Sequence, residues 1–172
     1  GPAYEVCDDD YDGIGSYNLS TLDETLLDGQ TGVSISYYES QEDADNATNV
    51  LDVTYQNTIT DTQTLYVRLE VDETGCYATT TQELIVNPIP TVLVGPAYEV
   101  CDDDYDGIGS YNLSTLDETL LDGQTGVSIS YYESQEDADN ATNVLDVTYQ
   151  NTITDTQTLY VRLEVDETGC YA

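Results

Sequence analysis

The chain has 172 residues, of which 35 are acidic and two are basic, and its formal net charge is −33. A charge of this sign repels nucleic-acid phosphates and anionic membrane surfaces, so we expect no nucleic-acid partner. No apolar run approaches the roughly 20 residues that a membrane-spanning helix requires, so we also expect no membrane insertion.

A long internal repeat dominates the sequence. Residues 1–78 recur residue for residue as residues 95–172, with a different 16-residue segment, 79–94, between them. The repeat unit of 94 residues has the size of a small β domain. We place repeat 1 at residues 1–86, a proline-containing linker at 87–94 and repeat 2 at 95–172. Because the second copy ends before its last predicted strand, we expect the chain to be a window onto a longer array.

The first third of each repeat predicts a short strand followed by a helical turn. Pro2–Val6 has the composition of a short strand. Thr21 and Glu24 form a capping-box pattern, which predicts that a helical turn begins there and ends at Gly29. Val33–Tyr38 then alternates between apolar and polar residues, as a half-buried strand does.

The second half of the repeat predicts a further helix and a β-hairpin. Ser40–Asn46 has the pattern of a short capped helix, and Leu51, Val53 and Tyr55 alternate again. Leu65–Val71 is the clearest strand, and Cys76–Val86 returns after a DETG turn. Short strands, turn signals and few helices predict an all-β fold, with tandem immunoglobulin-like β-sandwich domains carrying one or two short helical turns each. Whether residues 79–94 complete their own domain or pair with a neighbouring one stays open.

Each repeat carries two cysteines, and the chain contains no histidine. An even number of cysteines without a zinc-binding pattern favours disulfides formed in an oxidising compartment. The repeat symmetry favours one bond per domain, Cys7 with Cys76 and Cys101 with Cys170. The alternative is a bond between Cys76 and Cys101, with the outer cysteines bonded to further repeats.

An acidic loop follows the first cysteine of each repeat. Its DxDxDG pattern places three aspartates at alternate positions before a glycine, and carboxylates spaced in this way can converge on one calcium ion. The predicted ligands are the carboxylates of the three aspartates and the backbone carbonyl of the following isoleucine. These residues are Asp8, Asp10, Asp12 and Ile14 in repeat 1, and Asp102, Asp104, Asp106 and Ile108 in repeat 2. Asp9 is expected to point outward, and the remaining ligands stay open among Asn18, Asp23 and Glu24.

Several motifs together resemble a known family. The order CDDDxDG, YYES, LYVRLE, TGCYATT and ELIVNPIP is similar to repeats of very large flavobacterial surface proteins that are exported by type IX secretion. The resemblance implies immunoglobulin-like repeats in long extracellular arrays, a cation bound by Asp8, Asp10 and Asp12, and a bond between Cys7 and Cys76. It brings no catalytic residues.

These observations predict a structural role. We expect a repeat of an extracellular filament or adhesin stalk, stabilised by calcium and disulfides and joined head to tail to neighbouring copies. The alternative is an adhesion module whose exposed tyrosines, among them Tyr37, Tyr38, Tyr66 and Tyr77, bind glycans or surfaces. With no histidine, lysine or nucleophilic cysteine motif, we expect no enzymatic activity.

Overall fold

The computed structural model describes residues 2–172 and divides the chain into two units, unit 1 up to Pro88 and unit 2 from Ile89 onward. Both units are built mainly of strands with a few short helices, which confirms the predicted all-β class. None of the helices in the described part of the chain has the length and apolar character needed to cross a bilayer.

The described residues of unit 1, 2–88, form six strands and two short α-helices. A 3-10 turn at Leu19–Leu22 precedes the first helix. Their bounds are β1 Tyr4–Asp8, β2 Ser16–Asn18, α1 Asp23–Leu27, β3 Val33–Tyr38, α2 Gln41–Asn46, β4 Thr54–Gln56, β5 Thr62–Val71 and β6 Tyr77–Pro88.

The strands of unit 1 form a four-stranded sheet in the order β1-β6-β5-β3 and a two-stranded sheet of β2 and β4. Strand β1 runs parallel to β6, whereas the β6-β5 and β5-β3 pairs are antiparallel. The strands of this unit are thus divided between a larger sheet and a smaller pair, as an all-β fold requires.

The core of unit 1 is a cluster of aromatic and aliphatic side chains drawn from both sheets. Its buried members are Tyr17, Leu19, Tyr37, Tyr55, Leu65, Val67, Leu84 and Val86. Tyr37 and Tyr38 were expected among exposed, glycan-binding tyrosines, and this expectation is wrong, because their exposed fractions are only 6% and 1%. In a chain without phenylalanine or tryptophan, tyrosine supplies the aromatic surface of the core.

The two helices differ in how well their start was predicted. Helix α2 begins after Ser40, whose hydroxyl accepts a hydrogen bond from the Asp43 backbone N–H at 3.1 Å, as its sequence predicts. Helix α1 begins at Asp23, so the predicted capping box at Thr21 is wrong. The Thr21 hydroxyl instead donates to the Asn18 carbonyl at 2.8 Å, which stabilises the 3-10 turn.

Of the segment 79–94, whose pairing the sequence left open, residues 79–88 belong to strand β6. Residues Thr79–Pro88 lie in the sheet of their own unit, between β1 and β5. Gln82, Leu84 and Val86 are buried there.

Unit 2 repeats most of these elements. Its bounds are β7 Ser110–Asn112, α3 Asp117–Leu121, β8 Val127–Tyr132, α4 Gln135–Asn140, β9 Thr148–Gln150 and β10 Tyr160–Val165, with a 3-10 turn at Leu113–Leu116. Strand β10 pairs with β8, and β7 pairs with β9.

Candidate functional site

The two cysteines of unit 1 lie at opposite ends of its four-stranded sheet. Cys7 is the partner of Asn87 in the parallel β1-β6 pair, whereas Cys76 immediately precedes the first residue of β6, Tyr77. Asn87 lies eleven residues after Cys76 along this strand, which corresponds to roughly 36 Å. We call the end with Cys7, where β6 runs out at Pro88, the linker end, and the end with Cys76 the hairpin end.

This separation contradicts a disulfide within the unit. A disulfide requires Cα atoms that are roughly 4.4–6.8 Å apart. The expected bond between Cys7 and Cys76 is therefore wrong, and Cys76 is free and exposed. The sequence could not show this, because it does not reveal that β1 runs parallel to β6 with Cys7 at the far end.

Of the four cysteines, two are disulfide-bonded and two are free in the described structure. Cys7 and Cys170 are disulfide-bonded, whereas Cys76 and Cys101 are free and exposed. The expected bond between Cys101 and Cys170 is therefore also wrong, and so is the alternative bond between Cys76 and Cys101. The two bonded cysteines occupy non-equivalent positions in the repeat, since Cys7 corresponds to Cys101 and Cys170 to Cys76.

The acidic loop of unit 1 lies at the linker end, directly after Cys7. Ligand atoms from Asp8, Asp10 and Asp12 all lie within 4.8 Å of one another, so these predicted carboxylates do converge. The Asp8 carboxylate accepts hydrogen bonds from the backbone N–H groups of Asp12, at 3.2 Å, and Gly13, at 3.0 Å. These bonds curl the loop and bring the three side chains together.

Gly13 is the turn residue of this loop. Its φ is +74°, in the left-handed region that glycine adopts at no steric cost, and a Cβ atom there would lie 2.8 Å from Asp61 Oδ1. The glycine predicted at the sixth position is thus required by the backbone and by the neighbouring side chain.

Two residues outside the sequence motif form hydrogen bonds with the backbone of the loop. The buried Asn57 side chain donates to the Gly13 carbonyl at 2.8 Å and accepts from the Gly15 N–H at 2.6 Å. The Asp61 N–H donates to the same Gly13 carbonyl, and the Asp61 carbonyl accepts from the Val86 N–H at 2.7 Å. A hydrogen-bonded path therefore connects the loop with β6. No sequence signal marks Asn57, which lies 44 residues beyond Gly13.

The other residues considered as ligands lie in the loop or make hydrogen bonds outside it. The Ile14 N–H donates to Asp12 Oδ1 at 2.7 Å, which places Ile14 in the loop. Asn18 Oδ1 accepts from the Ser20 hydroxyl, and Asp23 Oδ1 accepts from the Tyr37 hydroxyl. Neither side chain belongs to the convergent group of carboxylates in the described structure.

Unit 2 forms the same loop. Ligand atoms from Asp102, Asp104 and Asp106 also lie within 4.8 Å of one another. Asp102 accepts from the N–H groups of Tyr105 and Gly107, both at 2.8 Å, and the Ile108 N–H donates to Asp106 Oδ1 at 2.8 Å.

Mutual repulsion perturbs the acidity of these loops. The negative charge of Asp106 raises the pKa of the Asp104 carboxyl above its ordinary value. Desolvation, followed by the charge of Asp12, raises the pKa of Asp10. Backbone N–H donors, chiefly that of Gly107, lower the pKa of Asp102. A bound cation removes such repulsion, and oxygen-only ligands at this spacing suit a hard ion such as calcium.

The comparisons with known proteins agree with the cysteine geometry. No curated protein sequence is similar enough to the chain to count as a match. The sequence profile of the Flavobacterium inter-domain disulphide bond domain matches the chain twice, at residues 3–90 and 97–172. Tandem matches over nearly the whole length show that the chain belongs to this family of flavobacterial inter-domain disulphide bond domains.

Proposed function

We propose that the chain is part of an extracellular structural array in which disulfides join neighbouring repeats and calcium stiffens the joints. The array would form a filament or adhesin stalk on the flavobacterial surface, exported by type IX secretion, with neighbouring copies of the repeat as its partners. We expect no catalytic role. Tandem units, a disulfide and the family assignment support this proposal.

One observation carries the proposal: unit 1 holds its two cysteines at opposite ends of one sheet. A linear head-to-tail polymer needs this polarity, because each unit then bonds forward at one end and backward at the other. We propose that Cys7, at the linker end of unit 1, is bonded to Cys170, at the hairpin end of unit 2. Cys76 and Cys101 then remain available for the preceding and following repeats.

Calcium has a defined place in this scheme. The acidic loop begins at Asp8, next to Cys7, and Asp8 is the partner of Pro88 at the last position of β6. An ion bound there would neutralise part of the repulsion in a chain of charge −33. Since the loop is hydrogen-bonded through Asp61 to β6, calcium would stiffen the strand from which the linker emerges.

Pulling a single chain by its two ends tests the proposal. A fully extended chain of 172 residues measures about 60 nm. If Cys7 is bonded to Cys170, the disulfide carries the force, and the residues between these two cysteines do not extend. Only the residues outside the bond can then extend, and the chain lengthens by about 3 nm. Adding reductant should restore the full extension.

The matched controls are Cys7→Ser and Cys76→Ser. Cys7→Ser should give the full extension without reductant, whereas Cys76→Ser should behave as the native chain. Bonds within each unit would instead release the segment between Cys76 and Cys101 and give about 12 nm before reduction. That length, or an extension that reductant does not change, would contradict the proposed joint.

A further inference from the structure

A network of hydrogen bonds surrounds the side-chain amide of Gln63, a buried glutamine near the start of β5. Gln63 has an exposed fraction of only 3%. Its amide oxygen accepts from the backbone N–H groups of Thr58, at 2.7 Å, and Ile59, at 3.2 Å. Its amide nitrogen donates to the hydroxyls of Tyr55, at 2.8 Å, and Thr58, at 3.2 Å. Both polar atoms of the amide are thus bonded to the segment that precedes β5.

A carboxylate completes the network. Glu39 Oε1 accepts hydrogen bonds from the Tyr55 hydroxyl, at 2.7 Å, and from the Thr58 hydroxyl, at 3.2 Å. A hydroxyl beside a carboxylate, next to an amide carbonyl that accepts from two backbone N–H groups, has the parts of an acyl-transfer site. The Thr58 hydroxyl can act as the nucleophile and Glu39 as the base. The two N–H groups form an oxyanion hole.

Unit 2 contains the same arrangement and shows where the hydroxyl lies relative to the amide. Glu133 accepts from the hydroxyls of Tyr149, at 2.7 Å, and Thr152, at 3.2 Å. The Thr152 hydroxyl lies 3.2 Å from the amide nitrogen and 3.5 Å from the amide oxygen of Gln157. It therefore faces the carbon atom that joins them, which is the atom that a nucleophile attacks.

We propose that the chain forms an ester bond between Thr58 and Gln63 by itself, and the matching bond in unit 2. Glu39 takes the proton of the Thr58 hydroxyl, and the Thr58 oxygen bonds to the side-chain carbonyl carbon of Gln63. The carbon–nitrogen bond of the amide then breaks. The nitrogen receives a proton from the Tyr55 hydroxyl and leaves as ammonia, and Glu39 returns its proton to Tyr55.

The reaction needs no further reactant, because one hydroxyl and one amide give one ester and one ammonia molecule. Burial, followed by the hydrogen bond to Glu39, raises the pKa of the Tyr55 hydroxyl, which therefore carries the proton that the leaving nitrogen requires. Glu39 and Thr58 are exposed, so ammonia has a path to solvent. Each unit reacts once, and the result is a modification of the chain itself.

The ester strengthens the support of the acidic loop. It closes a covalent ring over residues 58–63, which include Asp61. The Asp61 N–H donates to the Gly13 carbonyl, and the Asp61 carbonyl accepts from the Val86 N–H of β6. The ester therefore fixes the turn that connects the acidic loop with β6, and it does so without calcium or a disulfide.

The intact mass of the 172-residue chain tests the proposal. The folded chain is incubated and then reduced, so that disulfides do not alter the result. Its mass should be lower than the sequence mass by two ammonia molecules, one for each unit. Tandem mass spectrometry should give no backbone fragments from within residues 58–63, because a single cleavage does not open the ring. A chain with the full sequence mass would overturn the proposal.

Substitutions in unit 1 identify the group that reacts. Thr58→Val keeps the shape of the side chain without the nucleophile, so this variant should lose only the ammonia of unit 2. Thr60→Val removes a hydroxyl from the same loop and should lose two ammonia molecules, as the native chain does. Glu39→Gln should slow ester formation in unit 1 about 100-fold or more, because the base is lost. Loss of two ammonia molecules by Thr58→Val would assign the change to asparagine cyclisation and overturn the ester, and an unchanged rate in Glu39→Gln would overturn the role of Glu39.

Discussion

The guanidinium carbon of Arg68 lies 3.4 Å from the centroid of the Tyr77 ring, and Tyr77 directly follows Cys76. Arg162 stacks on Tyr171, which follows Cys170, in the same way at 3.3 Å. The chain has no other basic residues. Both arginines therefore stack on the tyrosine that follows the cysteine at the hairpin end of a unit.

Each arginine connects three elements. Arg68 donates to the carbonyls of Ala44 and Asp45 in α2, at 2.9 and 3.1 Å, and to the Glu70 carboxylate through Nε at 2.9 Å. A planar, buried guanidinium can do this while stacking on an aromatic ring, and a lysine ammonium cannot. The arrangement fixes the start of β6, and with it the position of Cys76.

Replacing this arginine should loosen the hairpin end of one unit. We predict that Arg68→Lys lowers the thermal midpoint of unit 1 by about 5 °C or more, because the stack and the bonds to the α2 carbonyls are lost. Hydrogen exchange at residues 76–80 should accelerate. The matched variant Arg162→Lys should affect unit 2 instead, and equal behaviour of the native chain and Arg68→Lys would contradict this role.

Calcium should stabilise the native chain. We predict that excess chelator lowers the thermal midpoint, since an ion held at 100 times its dissociation constant contributes about 2.7 kcal/mol. Asp10→Asn should reduce the response to calcium in unit 1. Asp9→Asn makes the same change of charge outside the convergent carboxylates, and its response should match that of the native chain. A melting curve that chelator leaves unchanged would refute calcium binding.

The raised pKa values of Asp10 and Asp104 predict how calcium binding depends on pH. Without the ion, a raised pKa means that the folded state binds a proton more tightly than the unfolded state. The resulting stabilisation is present below the ordinary aspartate pKa of 3.8 and is lost as pH rises through the raised value.

Calcium requires the ionised carboxylates, so its effect has the opposite sign. Affinity should fall on acidification at a pH above the ordinary aspartate range, and binding near that pH should release protons. Titration calorimetry in two buffers of different ionisation enthalpy measures this release. Binding without proton release as the pH is lowered toward the ordinary aspartate pKa of 3.8 would contradict the assignment of Asp10 and Asp104 as ligands.

The buried tyrosines predict a loss of stability in alkali. Desolvation raises the pKa of Tyr17 to about 12, and burial together with the hydrogen bond to Asp23 raises the pKa of Tyr37 further. Both groups therefore stabilise the fold fully below pH 10, and this contribution is lost as pH rises through the raised values. Tyr37→Phe removes one of them and should flatten the decline in the free energy of unfolding between pH 10 and 12. An absorbance titration at 295 nm that shows all 16 tyrosines ionising together near pH 10 would contradict this prediction.

Local patterns in the sequence predicted the strands and the loop because their causes are local. Alternation identified Val33–Tyr38, Ser40 marked the start of α2, and the spacing of three aspartates predicted that their carboxylates would converge. Pairings between distant segments left no such signal. The register of Cys7 against Asn87, the support of Gly13 by Asn57 and the burial of Arg68 under Tyr77 all depend on tertiary contacts. The wrong disulfide assignment also results from a tertiary feature that the sequence does not show. Repeat symmetry suggested one bond within each unit, but it does not reveal at which end of a sheet each cysteine lies.

Peptide mapping of the unreduced chain by mass spectrometry tests the inter-domain disulfide most directly. Because the repeats are identical, Asp9→Glu and Glu73→Asp, both at exposed positions, serve as mass labels for the Cys7 and Cys76 peptides. We predict that the labelled Cys7 peptide is linked to the unlabelled Cys170 peptide, while Cys76 and Cys101 are alkylated. A Cys7 peptide linked to the labelled Cys76 peptide would contradict the account.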